Sequence, residues 1–270
     1  MAILINNILI MFAKYLQEEM STLLELPRIE TELKLCYSKS LDCKICFDTG
    51  SDADFIPTAL LSRFKEKGFA IEDCETNSNM TFSDGSLVIY NQCKLITLPL
   101  SPFCWYRSLF YESKNNYILL GKRFLKKYVV VYHRDKIILQ DNHPEEFNVL
   151  VPIEERDGSY YVKLSINGKE NDYYLDTGHP NAVSLPLEDK QFAISPLKEE
   201  NVNLSFINGA KKQYNELIED RGLLEIGGIS KHGLIDYTEY YKIPYMFSPV
   251  IAFADFMLDL KNNVLGLIRK

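Results

Sequence analysis

Two aspartates carry the chemistry that this sequence could perform. Asp48 stands in Phe47-Asp48-Thr49-Gly50-Ser51 and Asp176 in Leu175-Asp176-Thr177-Gly178-His179. At average residue usage an Asp-Thr-Gly triplet arises by chance at roughly one position in several thousand. Two of them in one chain, each straight after an apolar, strand-like stretch, point to two carboxylates meant to meet. Carboxyl groups about 3 Å apart do not both ionise readily, so they share one proton and titrate as a pair. One can then act as a base while the other acts as an acid.

The flanking residues repeat as well. Leu33 and Leu35 alternate with Glu32 and Lys34, a polar turn at Ser38-Lys39-Ser40 follows, and Cys43 to Phe47 returns to Asp48: a hairpin. In the second half Tyr160 to Ile166, the turn pair Asn167-Gly168 and Asp172 to Leu175 make the matching hairpin before Asp176. Phe55-Ile56-Pro57 matches Ser184-Leu185-Pro186. Thr58 can cap a helix over Ala59 to Lys67, closed by Gly68, whereas Leu187 to Phe192 allows a shorter one or none. Asp84-Gly85 and Asn208-Gly209 mark the tip of a second hairpin in each half. Each half closes on an apolar run and a last hairpin, which sets Gly121 of Ile118-Leu119-Leu120-Gly121 against Phe253 of Val250-Ile251-Ala252-Phe253. The chain turns polar near Gln140 to Glu146. The sequence therefore predicts an internal duplication of roughly 110–130 residues, all-β, with few and peripheral helices.

Composition sets the outer bounds. With 46% hydrophobic and 25% charged residues, the 270-residue chain can build a core without staples. A net charge of −7 argues against a nucleic-acid partner, which calls for a basic patch. Residues 1–25 read as an N-terminal helix packed on the body or on a partner, the run Ile3 to Ala13 being apolar. That run lacks the basic start and cleavage site of a signal peptide and falls short of the ~20 apolar residues of a membrane span. The expected location is cytoplasmic, with export as the alternative if the run is a degenerate signal. All six cysteines lie in the first half and are expected as free thiols. Cys43 and Cys46 have metal-ligand spacing, but residues three apart on a strand point to opposite faces, so no metal is expected. His133, His143 and His232 are scattered through polar turns and read as surface residues.

This order of features resembles the retropepsin and pepsin clan of aspartic peptidases, over about residues 30–140 and 150–270. The copy length is similar to a retropepsin subunit, so the chain resembles a fused, single-chain retropepsin dimer. The resemblance implies two retropepsin-like β-barrel lobes, 26–143 and 144–270, in a monomer that is a pseudo-dimer. It further implies that Asp48 and Asp176 are the catalytic dyad, that Thr49 and Thr177 brace the two loops, and that Gly50 and Gly178 allow the tight turns. Ser51 and His179 would support the loops, while Asp84, Gly85, Asn208 and Gly209 would sit on flaps over the substrate. The implied activity is endopeptidase cleavage of an extended peptide or protein segment, by a water activated between the carboxylates and without a cofactor.

Two departures from the clan pattern bear on that activity. His179 follows the second triplet where Ser51 follows the first; it could hydrogen-bond the carboxylate, hold it ionised if protonated, or point to solvent. Phe253 in place of Gly121 would disturb the backbone beneath the active-site loop. These departures motivate the alternative of a peptide-binding module that keeps the fold and has lost turnover.

Overall fold

The computed structural model describes residues 22–81, 87–205, 211–241, 243 and 245–269. Its first ten strands are β1 (Thr22–Ile29), β2 (Glu32–Ser38), β3 (Cys43–Phe47), β4 (Asp54–Pro57), β5 (Ile71–Thr81), β6 (Leu87–Ser101), β7 (Cys104–Ser113), β8 (Tyr117–Leu120), β9 (Val129–Tyr132) and β10 (Lys136–Gln140). Ten more follow: β11 (Val149–Arg156), β12 (Ser159–Ile166), β13 (Lys169–Leu175), β14 (Val183–Pro186), β15 (Leu197–Ser205), β16 (Lys211–Ile226), β17 (Ile229–Thr238), β18 (Met246–Phe247), β19 (Phe256–Asp259) and β20 (Val264–Leu267). The first lobe pairs its strands in the order β1-β2-β3-β8-β4-β7-β6-β5. The second repeats this strand for strand as β11-β12-β13-β18-β14-β17-β16-β15. Parallel and antiparallel contacts fall at the same places in both.

Local sequence explains the elements. In β12, Tyr160, Val162, Leu164 and Ile166 are buried while Lys163 is exposed, the alternation of a strand with one face on the core. β3 and β4 are apolar throughout apart from Lys44 and Asp54 and lie mid-sheet, covered on both sides. Asn167 and Gly168 take φ of 53° and 82°, the left-handed pair that a two-residue hairpin turn demands. Helical turns are confined, among the described residues, to Thr58–Glu66, Lys122–Leu125, Pro249–Ala252 and the 3-10 turn Leu187–Phe192.

The lobes are joined by a third sheet of order β1-β10-β9-β19-β20-β11, whose centre is the antiparallel pair β9–β19. Tyr132 faces Phe256 across that seam and their rings stack at 4.2 Å. Main-chain hydrogen bonds and buried side chains thus fix one lobe on the other, so both Asp-Thr-Gly loops are carried by one continuous β-framework.

Two expectations are corrected. Residues 22–25 belong to β1 and not to an N-terminal helix: Leu24 and Leu26 are buried and Glu25 exposed, a period of two set by pairing with β10. Residues 1–21 lie outside the described residues. The residue in Gly121's place is Ser248, because Leu120 and Phe247 are the strand ends whose carbonyls accept the Asp48 and Asp176 N–H, at 3.0 and 2.9 Å. The run Val250-Ile251-Ala252 that invited the other alignment belongs to the helical turn beyond, and Phe253 packs edge-on to Phe247.

Candidate active site

The two loops meet where β3 and β13 end. Thr49 N–H donates to Thr177 Oγ1 at 2.9 Å and Thr177 N–H donates to Thr49 Oγ1 at 2.9 Å. Each hydroxyl then donates onward into the opposite lobe, Thr49 to Leu175 O at 2.7 Å and Thr177 to Phe47 O at 2.8 Å. Both threonines are completely buried. Hydroxyls are needed here because each must accept and donate at once. Thr49→Val or Thr177→Val leaves a buried N–H and a buried carbonyl without partners, at an expected cost of roughly 2–5 kcal/mol. Thermal or urea unfolding of the purified variants measures this, and a loss below about 1 kcal/mol would mean that the brace adds little.

Inside this brace the carboxyl groups face each other. Asp48 Oδ1 accepts from Gly50 N–H at 2.7 Å and Asp176 Oδ1 from Gly178 N–H at 2.8 Å, so each is aimed by its own loop. Each carboxyl lies over the other loop's glycine, a Cβ on Gly178 meeting Asp48 Cγ at 2.5 Å and one on Gly50 meeting Asp176 Cγ at 2.7 Å. Loss of surrounding water and the neighbouring Asp48 carboxyl push Asp176 well above the ordinary carboxylate range, opposed by Lys34 and the Gly178 N–H. Asp176 therefore keeps its proton to higher pH than an ordinary carboxyl does, and the pair opens on a cleft of about 650 Å³.

Two more side chains tie the loops across the lobes. Lys34 of β2 donates from Nζ to Gly178 O at 2.7 Å, and Tyr174 of β13 donates its hydroxyl to Gly50 O at 3.2 Å. The sequence pattern gave no role to either. Their one signal is position, since both lie in the hairpins that feed the aspartates.

His179 takes none of the three roles open to it. The ring is buried, its Nε2 lies 2.5 Å from Ser184 Oγ, and it packs edge-on to Tyr241. Burial, and then Lys34, lower its pKa to about 3, so it is neutral over most of the pH scale. Ser51 occupies the matching position with a local bond to Ala53 O at 2.8 Å. Both residues anchor their loops from behind.

Asp54 was missed for the same reason as Lys34. It is buried, and Oδ2 accepts from Tyr106 at 2.6 Å and Ser108 at 2.8 Å, while Oδ1 accepts from Gly121 N–H at 2.8 Å. It thereby fixes the backbone beneath the first loop. A side chain on Gly121 would meet Ser51 O at 2.6 Å and Ala53 O at 2.7 Å. In the second lobe Ser248 N–H bonds Ala182 O at 2.9 Å instead, and that backbone tolerates a side chain.

One wall of the cleft comes from β5, whose residues Ser78 to Thr81 line it, and no described residue of the β15–β16 hairpin does so. Asp84 and Gly85 fall between Thr81 and Leu87, and Asn208 and Gly209 between Ser205 and Lys211; all four lie outside the described residues. The scattered histidines make specific bonds: His133 Nδ1 lies 3.1 Å from Asp255, and His143 contacts the buried Asp259, in each case across the lobe junction. The six cysteines are free thiols in this structure, and no cluster of metal-ligating side chains occurs among the described residues.

Comparison with solved structures defines the class of fold. The chain is similar to the crystal structure of aspartic proteinase from Irpex lacteus over 91% of its own length and 97% of that chain, with a TM-score of 0.59 at 10% identity. It is also similar to the crystal structure of basic 7S globulin from soybean over 93% of its own length and 97% of that chain, with a TM-score of 0.50 at 10% identity. No family model and no curated protein sequence matches it. The fold is the all-β, two-lobed fold of pepsin-like aspartic proteinases. These likenesses show the pepsin-like fold and do not single out a fused retropepsin dimer.

Proposed function

We propose that the chain is an aspartic endopeptidase that cleaves extended peptide segments through a water held between Asp48 and Asp176. The observation that carries this reading is that the two carboxyls line one cleft, each set against the other lobe's loop, with the loops braced by reciprocal threonine bonds. Asp176, which keeps the proton, donates to the substrate carbonyl oxygen, and Asp48 takes a proton from the water. The water oxygen adds to the carbonyl carbon to give a tetrahedral diol. Asp48 then protonates the amide nitrogen, the C–N bond breaks, and a diol hydroxyl returns a proton to the pair. Both halves of the site come from one chain, which supports action as a monomer. The copy length supports two retropepsin-sized lobes arising by duplication, and the free thiols fit a reducing cytoplasm.

The alternative of a non-catalytic binding module loses its two motives. Phe253 does not lie under the active-site loop, and His179 is neutral and bonded to Ser184. The deciding experiment is incubation with a diverse peptide mixture from pH 3 to 8, followed by mass-spectrometric mapping of new termini. New termini suppressed by a hydroxyl-bearing peptide isostere are expected. Binding of the isostere with no new termini at any pH would favour the binding module.

A pH prediction follows from Lys34. Its charge favours ionised Asp176, so Lys34→Met raises the Asp176 pKa further and the pair keeps its proton to higher pH. The alkaline limb of the kcat/KM profile should move upward. A downward shift, or none, would show that Lys34 does not act on the pair.

A further inference from the structure

We propose that the second-lobe wall of the cleft selects a lysine or arginine side chain of the peptide through Asp236 and Glu216, a substrate class that rests on the endopeptidase reading above. The duplication makes this wall readable. In the first lobe Phe55 pairs with Tyr111 of β7 and with Leu119 of β8, and all three line the cleft. In the second lobe Ser184 pairs with Asp236 of β17 and with Met246 of β18. Strand for strand, Ser184, Asp236 and Met246 stand where Phe55, Tyr111 and Leu119 stand. Side chains at matching register share a face of the sheet. Asp236 is therefore directed at the cleft from behind His179 and Tyr241, which surface the wall there, and His179 Nε2 rests on Ser184 Oγ. An apolar wall in one lobe thus faces an acidic one in the other.

The unmet bonding of the carboxyls supplies the second observation. Asp236 is 2% exposed and lies beside Ser184 and Asn181, yet neither of its oxygens completes a hydrogen bond. Glu216 of β16 is 5% exposed, and its Oε2 has no partner. The two carboxyls act on each other and on Tyr241, whose hydroxyl lies 3.3 Å from that of Tyr214. Glu200, paired with Glu216 in the sheet, adds a third acidic group. Among the described residues no lysine, arginine or histidine forms an ion pair with Asp236 or Glu216. Lys34, which also lines the cleft, is committed to Gly178 O. Burial, joined by Glu216, pushes the Asp236 carboxyl up to about 8. Buried carboxyl oxygens without donors are unfavourable, and an ammonium or guanidinium group brings both the donors and the opposite charge. The Tyr241 ring at the mouth suits the same guest, because a cation is drawn to a ring face. A metal ion is a poorer match, since no cluster of three metal-ligating side chains occurs among the described residues.

The test uses hydroxyl-bearing peptide isosteres bound to the full-length chain. They differ at one residue, lysine, arginine, norleucine or glutamate, which is moved in turn through the positions on both sides of the hydroxyl. At one position lysine or arginine should bind roughly tenfold more tightly than norleucine, and glutamate more weakly still. Asp236→Asn and Glu216→Gln should each bring lysine and norleucine close to equality there, with thermal midpoints recorded alongside. Cleavage of a diverse peptide mixture is the second readout, and new termini should carry lysine or arginine at one fixed distance from the cut. New termini without that enrichment overturn the subsite and leave the endopeptidase reading standing. Norleucine bound as tightly as lysine at every position also overturns it. A lysine preference among the isosteres with no new termini does the reverse, supporting the subsite and sinking the cleavage reading. Variants that weaken the lysine and norleucine isosteres alike would show carboxyls with a purely structural role, against the proposal. Comparing lysine with norleucine in the unmodified chain needs no variant, so it decides even if Asp236→Asn fails to fold.

Discussion

Asp48→Asn and Asp176→Asn should each lower peptide cleavage by roughly 10³-fold or more while leaving the fold in place. Asparagine keeps the oxygen that accepts from Gly50 N–H or Gly178 N–H, so the loop geometry at 2.7 and 2.8 Å has no reason to change. What is lost is the exchangeable proton and the base. With one carboxyl left, the site can hold a proton or accept one, and the reaction needs both together. Stability should hold or rise, because Asp176 carries an elevated pKa through lost hydration and the facing Asp48 carboxyl, and the amide removes that conflict. The measurement is kcat/KM on a mapped peptide, with the thermal midpoint recorded alongside. Either variant retaining more than about a tenth of the unmodified rate would refute a shared-proton mechanism.

Much of this was legible in the sequence, for physical reasons that differ by residue. Asp-Thr-Gly could be read because every atom is committed: a carboxyl, a hydroxyl that accepts and donates, and a position with no room for Cβ. Asn167-Gly168 was legible because its φ angles of 53° and 82° are open to few other pairs. Lys34, Tyr174 and Asp54 were not legible. Their partners are main-chain or side-chain atoms remote in sequence, Gly178 O, Gly50 O and the Tyr106 hydroxyl, and any polar residue on a strand looks alike until the strands are paired. The end of the second lobe was misread for a related reason. An apolar run fits a buried strand or a buried turn equally well, and only the hydrogen bond from Asp176 N–H to Phe247 O shows that β18 ends before Val250. His179 was the reverse case, a residue with visible chemistry that the fold turns away from the reacting groups.

The second large effect belongs to the glycines, and it crosses between lobes. A Cβ on Gly178 would lie 2.5 Å from Asp48 Cγ, and one on Gly50 would lie 2.7 Å from Asp176 Cγ. Each glycine therefore makes room for the other lobe's carboxylate. Backbone angle is not the reason, since neither glycine is among those with positive φ. Gly178→Ala should thus displace Asp48, and Gly50→Ala should displace Asp176. The loops have little freedom to give way, being tied by the threonine brace and by the bonds from Asp48 N–H to Leu120 O and Asp176 N–H to Phe247 O. A carboxylate moved by about 1 Å costs on the order of 10²-fold in rate, so each variant should lose at least that much of kcat/KM. Gly233→Ala is the matched control, because a Cβ there meets nothing within 4 Å, and its activity should be unchanged. Binding of a hydroxyl-bearing isostere adds a second readout: it needs both carboxyls in place, so it should weaken in Gly178→Ala and in Gly50→Ala but not in Gly233→Ala. If Gly178→Ala keeps more than about a third of the rate, the carboxyls are not held in the close contact on which the mechanism depends.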